Sequence, residues 1–144
     1  MYDSSMFPNE KFARLVQVKT VGQYPHFPLE HCRLMELPMP RYSPLPVPFH
    51  ASYSLVLGFW YFRLGLNRFR STGAPLVFLF HLTDFSDPLS DRDLPGWKGR
   101  LYTLSYQSSG FKLQRCKQML ELVRQNYTVV DTMSLVGAYM KETR

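Results

Sequence analysis

The stretch Pro75–Asp84, PLVFLFHLTD, constrains the fold of this chain more than any other. Five consecutive apolar residues, 76–80, follow a Gly-Ala-Pro turn and end at His81. A continuous apolar run between chain breakers predicts a strand that is buried on both faces. In α/β sheets and barrels, ligands lie at the carboxyl ends of such strands. The sequence therefore predicts a functional position at His81, with Asp84 close behind it.

The last third of the chain alternates between helical and extended patterns. Gly110–Asn126 predicts a helix with one apolar and one polar face. The apolar stripe holds Leu113, Cys116, Met119, Leu120 and Val123, and the face toward water holds Lys112, Arg115, Gln118, Glu121 and Arg124. Tyr127–Val130 is rich in β-branched residues and predicts a short strand. Asp131 predicts the cap of a last helix that runs to about Met140. This order favours a parallel α/β sheet or barrel.

His50–Phe69 is the most aromatic helix candidate, and it is apolar nearly all round. Such a helix is buried or lies at an interface, and an amphipathic membrane-surface helix is the alternative. The longest apolar run, Leu55–Phe62, has eight residues, whereas a membrane span needs about 20. A signal peptide is not expected, because the first residues, MYDSS, have neither a basic nor an apolar stretch. The expectation is therefore a chain with no transmembrane segment, in the cytoplasm or in a compartment that the sequence does not fix.

Charge and cysteine content narrow the function classes only slightly. The net charge of +6 is scattered along the 144 residues, which fits an ordinary basic surface or an anionic partner. Cys32 and Cys116 form no metal-binding spacing, and Cys116 is expected to be a buried thiol.

No Ser-His-Asp arrangement or phosphate-binding glycine loop is present. His81 with Asp84 could be a general acid or base held by a carboxylate, or a purely structural pair.

Four segments in order resemble the carboxyl-terminal part of the polysaccharide deacetylase family, which has the NodB-homology fold. Tyr2–Pro8, YDSSMFP, is similar to the family's YDSS-hydrophobe-FP segment, and Leu34–Pro38, LMELP, resembles its L-x-E-x-P strand. Leu76–His81, LVFLFH, resembles the late strand whose histidine closes the active site. Tyr127–Leu135, YTVVDTMSL, is similar to the family's last strand and the start of its last helix.

This resemblance implies an α/β fold in which residues 1–144 are a single partial domain. That domain would be a partial (β/α) barrel, the C-terminal portion of a distorted seven-stranded deacetylase barrel. The complete family domain holds a divalent metal, usually zinc, and hydrolyses the carbon–nitrogen amide bond of N-acetyl sugars. By position, His81 matches the late histidine, the general acid that protonates the leaving amine or stabilises the oxyanion. Asp84 is a candidate orienting partner.

The resemblance also implies that essential groups lie outside this sequence. The family's metal triad and general base precede the YDSS segment, so no metal ligand or bound cofactor is expected here. His26, His31 and His50 do not match the metal motif. Many relatives read His-Pro-Trp-Glu where this chain has His81-Leu-Thr-Asp84. The chain is therefore expected to be inactive alone.

Its expected partners are an upstream half of the barrel, a complementing chain or a second copy. A carbohydrate substrate is expected if the domain is complete, and no nucleic acid is expected. The alternative is a non-enzymatic basic module that binds an anionic glycan, a nucleic acid or a membrane surface.

Overall fold

The computed structural model describes residues 2–3, 24–27, 34–42, 47–90, 92–93, 96–97 and 104–142. Four helices dominate these ranges: α1 Ala51–Leu57, α2 Phe59–Arg70, α3 Ser109–Asn126 and α4 Thr132–Glu142. A short 3₁₀ turn covers Leu82–Asp84. Four strands of two residues each complete the elements: β1 Tyr2–Asp3, β2 Met35–Glu36, β3 Arg41–Tyr42 and β4 Val47–Pro48. No helix within these ranges has the length and apolar content to cross a membrane.

The described residues form two compact units. The first contains those up to Pro48, those of Thr72–Val77 and those from Thr128 onward, and the second contains Phe49–Ser71 and the described part of Phe78–Tyr127.

In the first unit, β1 pairs in parallel with β2, in the register Tyr2↔Met35. β3 pairs antiparallel with β4. The buried core joins β2 to α4 through Met35, Leu37 and Val136. Asp131 accepts hydrogen bonds from the Ser134 amide (2.8 Å) and hydroxyl (2.6 Å), so the predicted cap of the last helix is confirmed.

The second unit is built around the ring of Phe49. This ring lies 5.6 Å from the ring centroids of both Phe62 and Phe78. Gly65 lets α2 pass directly over it, since a Cβ at Gly65 would lie 2.5 Å from Phe49 Cε2. The predicted helix over His50–Phe69 is present as two helices because Gly58 adopts φ 96°, which ends α1 and starts α2.

α3 confirms the helix predicted over Gly110–Asn126 but not all of its predicted faces. The Ser108 hydroxyl accepts a hydrogen bond from the Phe111 amide and caps the helix. The buried row has the spacing 112, 116, 119, 123 and consists of Lys112, Cys116, Met119 and Val123. Leu113 and Leu120 are exposed. The predicted positions of Lys112 toward water and of the two leucines in the core are therefore wrong.

The predicted partial (β/α) barrel is wrong, because the structure is mainly helical. Its described strands form two separate two-stranded ladders. Residues 76–80 belong to none of them and are only half-buried. Aromatic rings take the place of neighbouring strands: Phe78 packs on Phe49, and Phe80 packs on Phe85. The strand predicted at Tyr127–Val130 is absent as well, since Val129 and Val130 are exposed and unpaired with any strand.

Candidate functional site

His81 stands at the start of the 3₁₀ turn in the second unit. Its backbone is extended, with φ −98° and ψ 155°, and its side chain is exposed. The carbonyl oxygen of Leu79, two residues earlier, accepts a hydrogen bond from the Ala51 amide at 3.1 Å. This bond fixes the main chain just before His81 to the first residue of α1. The end of the apolar run thus presents an imidazole to solvent from a fixed main chain.

Asp84 fixes the other side of the same turn. It is fully buried, at 0% exposure. Its Oδ2 accepts the His81 backbone N–H at 2.8 Å, and its Oδ1 accepts the Ser52 hydroxyl at 2.7 Å. The Asp84 amide in turn donates to the His81 carbonyl oxygen at 2.9 Å. Among the described contacts, the carboxylate therefore holds the main chain of His81 rather than its ring.

Lys112 supports the turn from α3. Its side chain is fully buried, and its Nζ donates to the Thr83 carbonyl oxygen at 2.9 Å and to the Ser86 hydroxyl at 3.3 Å. Burial lowers the pKa of Lys112, and the negative charges of Asp84 and Asp87 oppose this shift. A buried amine is tolerated where carbonyl and hydroxyl oxygens replace its water. The turn is thus held from α1 through Asp84 and from α3 through Lys112.

A second imidazole lies beside His81. The ring centroids of His50 and His81 are 5.2 Å apart in an edge-to-face arrangement, and the Tyr53 ring is 4.9 Å from His50. His50 is buried, and its Nδ1 has no hydrogen-bond partner among the described residues. Burial lowers the pKa of His50, the charge of His81 lowers it further, and Asp84 opposes both. Burial therefore favours the neutral form of His50.

Sequence reasoning missed His50, Ser52 and Lys112 as members of this site. His50 had one weak signal: it occupies the N-cap position of α1, where Ser, Thr, Asp or Asn is usual, and it makes no side-chain cap there. Ser52 and Lys112 are 32 and 29 residues from their partners in the turn. Neither has a local sequence signal.

Cys116 is not available as a nucleophile. It is a free, buried thiol, as predicted. Burial and the charge of Asp84 raise its pKa to about 11, with Lys112 opposing. Since the thiolate is the reactive form, this cysteine is inert at neutral pH. Cys32 lies outside the described residues.

No metal site can be built from the part of the chain that the structure describes. In those ranges, no three His, Cys, Asp or Glu side chains are arranged to hold an ion. His26 is in the first unit, with its Nδ1 3.1 Å from the Tyr24 carbonyl oxygen, and His31 lies outside the described residues. The described residues do not fit the zinc that the resemblance implies, so no chemical step here is derived through a metal.

Comparison with known proteins does not assign this chain to a family. No protein-family model matches the chain, and neither a curated protein nor a solved structure is significantly similar to it. The resemblance to polysaccharide deacetylases therefore stays a prediction. The geometry brings together one exposed imidazole, on a turn held by Asp84 and Lys112, and one buried imidazole beside it.

Proposed function

We propose that this chain supplies the proton donor of a carbohydrate N-deacetylase. His81 protonates the leaving amine as the amide bond of an N-acetyl sugar breaks. The observation that carries the proposal is the position of His81, whose exposed ring stands on a turn held by the buried carboxylate of Asp84. The four segments that resemble the deacetylase family supply the reaction class.

A proton donor is needed because an amine leaves an acyl carbon poorly as its anion. Histidine exchanges protons near neutral pH, and a positioned general acid accelerates such steps by about 10²–10⁴-fold. In this site, Asp84 and Lys112 keep the backbone under His81 in place. Burial lowers the pKa of His50, which disfavours a second positive charge beside His81. The His81 ring can therefore approach a substrate while its support stays fixed.

The remaining chemistry is proposed to come from outside this sequence. The resemblance places the general base and the zinc ligands before Tyr2, either in an upstream half or in a complementing chain. A second copy of this chain could cover surface but would not add those ligands. This chain alone is expected to release no acetate.

The test joins this chain to the coding sequence immediately upstream of it and measures acetate release from chitooligosaccharides with zinc present. We expect turnover in the joined protein and a fall of about 10²–10⁴-fold on His81→Ala. His26→Ala, a histidine of the first unit, is the matched control and should keep its rate. Absence of acetate release from the joined protein, or a His81→Ala variant as fast as the parent, would contradict the proposal.

A further inference from the structure

The helix pair α1–α2 exposes large apolar side chains that its core does not use. Its buried members include Leu55, Phe62 and Leu66. On the exposed sides, four apolar residues remain in contact with solvent. They are Tyr53 (41% exposed), Leu57 (40%), Trp60 (63%) and Leu64 (49%), and we refer to them as the aromatic face.

Their spacing makes the exposure systematic. Tyr53 and Leu57 are four residues apart on α1, and Trp60 and Leu64 are four apart on α2. Side chains at i and i+4 lie on one side of a helix. Each helix therefore presents a pair of apolar groups outward, with a tryptophan and a tyrosine among them. Isolated exposed leucines are ordinary on protein surfaces, whereas stacked pairs that include aromatic rings mark binding surfaces.

The charged side chains of the helix pair itself are all basic. Residues 50–71 contain three arginines and no aspartate or glutamate. Arg63 and Arg68 are exposed on α2, while Arg70 donates to Asn126 Oδ1 at 2.6 Å. A surface that combines Trp, Leu and Arg without acidic residues complements the headgroup region of an anionic bilayer. There, tryptophan sits at the interface and arginine reaches the phosphates.

We propose that the aromatic face lies on an anionic phospholipid surface, with Trp60 and Leu64 in the headgroup region and Arg63 and Arg68 against lipid phosphates. The leucines favour lipid over a nucleic-acid backbone, since aliphatic groups gain nothing from phosphates alone. The Tyr53 ring of this face lies 4.9 Å from the His50 ring, but the inference does not depend on the proposed deacetylase function.

The experiment uses the full chain with Trp97→Phe, which leaves Trp60 as the sole tryptophan of the two. Emission is recorded with vesicles of phosphatidylcholine and phosphatidylglycerol, and with pure phosphatidylcholine vesicles. Vesicle sedimentation gives the bound fraction in parallel. We expect a blue shift and co-sedimentation with the anionic vesicles only, both weakened by salt.

Two variants test the face, and each has a matched control on α3. Leu64→Ser should weaken binding to the anionic vesicles. The double variant Arg63→Ala/Arg68→Ala should lower the affinity for these vesicles by about fivefold for each arginine removed. Leu113→Ser and Arg124→Ala also change exposed residues and should bind as the parent does. Circular dichroism confirms that each variant is folded.

Three outcomes would overturn the proposal. The first is no blue shift with anionic vesicles. The second is equal loss of binding in the α3 controls. The third is a concentration-dependent blue shift without vesicles, together with dimers in analytical ultracentrifugation, because the face would then bind a second copy of the chain.

Discussion

Asp84 is the side chain on which the candidate site depends most. Its two carboxylate oxygens satisfy the His81 amide and the Ser52 hydroxyl, and it lies in full burial near the Lys112 amine. Removing one partner from a buried polar network leaves the others unsatisfied, which costs more than the bonds contribute. The Asp84 carboxylate is therefore needed for the stability of the turn, whether or not the site is catalytic.

Asp84→Ala is expected to lower the free energy of unfolding by about 3 kcal/mol, as measured by urea denaturation. Asp93→Ala is the matched control. Asp93 also accepts bonds from the amide and hydroxyl of a serine, Ser90, but it is exposed. Water replaces those bonds, so the control should change stability much less. Equal effects of the two substitutions would show that the buried network around Asp84 is not what holds the turn.

His50 makes stability depend on pH in a defined direction. Because burial lowers its pKa in the folded protein, the unfolded chain binds the proton more readily. The contribution of neutral His50 to the free energy of unfolding is fully present above the pKa of histidine in the unfolded chain, about 6.5. Part of it is lost as the pH falls through that value toward the lower pKa of His50 in the folded protein.

His50→Phe keeps a ring at this position and removes the titration. We expect the loss of stability between about pH 7.5 and about pH 5.5 to be smaller in this variant than in the parent. Urea midpoints at the two pH values measure the difference. An identical loss in both proteins would mean that His50 does not carry the pH dependence.

Helix α2 packs closely against the ring of Phe49 at Gly65. The Cβ of an alanine at Gly65 would lie 2.5 Å from Phe49 Cε2 and 2.6 Å from Cδ2. These are ring atoms at the centre of the aromatic cluster, so a shift of Phe49 would displace Phe62 and Phe78 as well.

Gly65→Ala should therefore destabilise the protein by about 1–3 kcal/mol despite the better helix propensity of alanine. Gly137→Ala in α4 is the control, because nothing lies within 4 Å of its added Cβ. That control should gain up to about 1 kcal/mol. Opposite signs in thermal or urea unfolding are the expected result, and a stabilising Gly65→Ala would contradict the close packing.

Helix positions could be predicted from the sequence because their signals are local. The cap of α4 at Asp131 and the bounds of α3 follow from short patterns. The face of Lys112 could not be predicted, since a long side chain can bury its methylenes while its amine reaches a carbonyl oxygen. The strand predicted at residues 76–80 was wrong for a related reason. An apolar run favours burial, but it does not show how complete the burial is or whether strands or aromatic rings provide it.

Across the whole molecule, the candidate site was only half predictable. His81 and Asp84 are three residues apart, and the sequence identified both. Ser52, Lys112 and His50 come from α1, α3 and the residue before α1, and only the fold brings them to the turn. The predicted barrel followed from an order of strands and helices in the last third of the chain and from the resemblance, and the described residues do not form its strands. The proposed function therefore rests on the site and the resembling segments and not on the fold.

The most direct test of His81 as a proton donor compares two acetylated substrates in the protein joined to its upstream sequence. An N-acetyl amine needs a proton on its leaving group, whereas an activated aryl acetate does not. His81→Ala should slow the amide by about 10²–10⁴-fold and leave the aryl acetate within a few-fold of the parent rate. Equal losses on both substrates, or no loss on the amide, would contradict the proton-donor role.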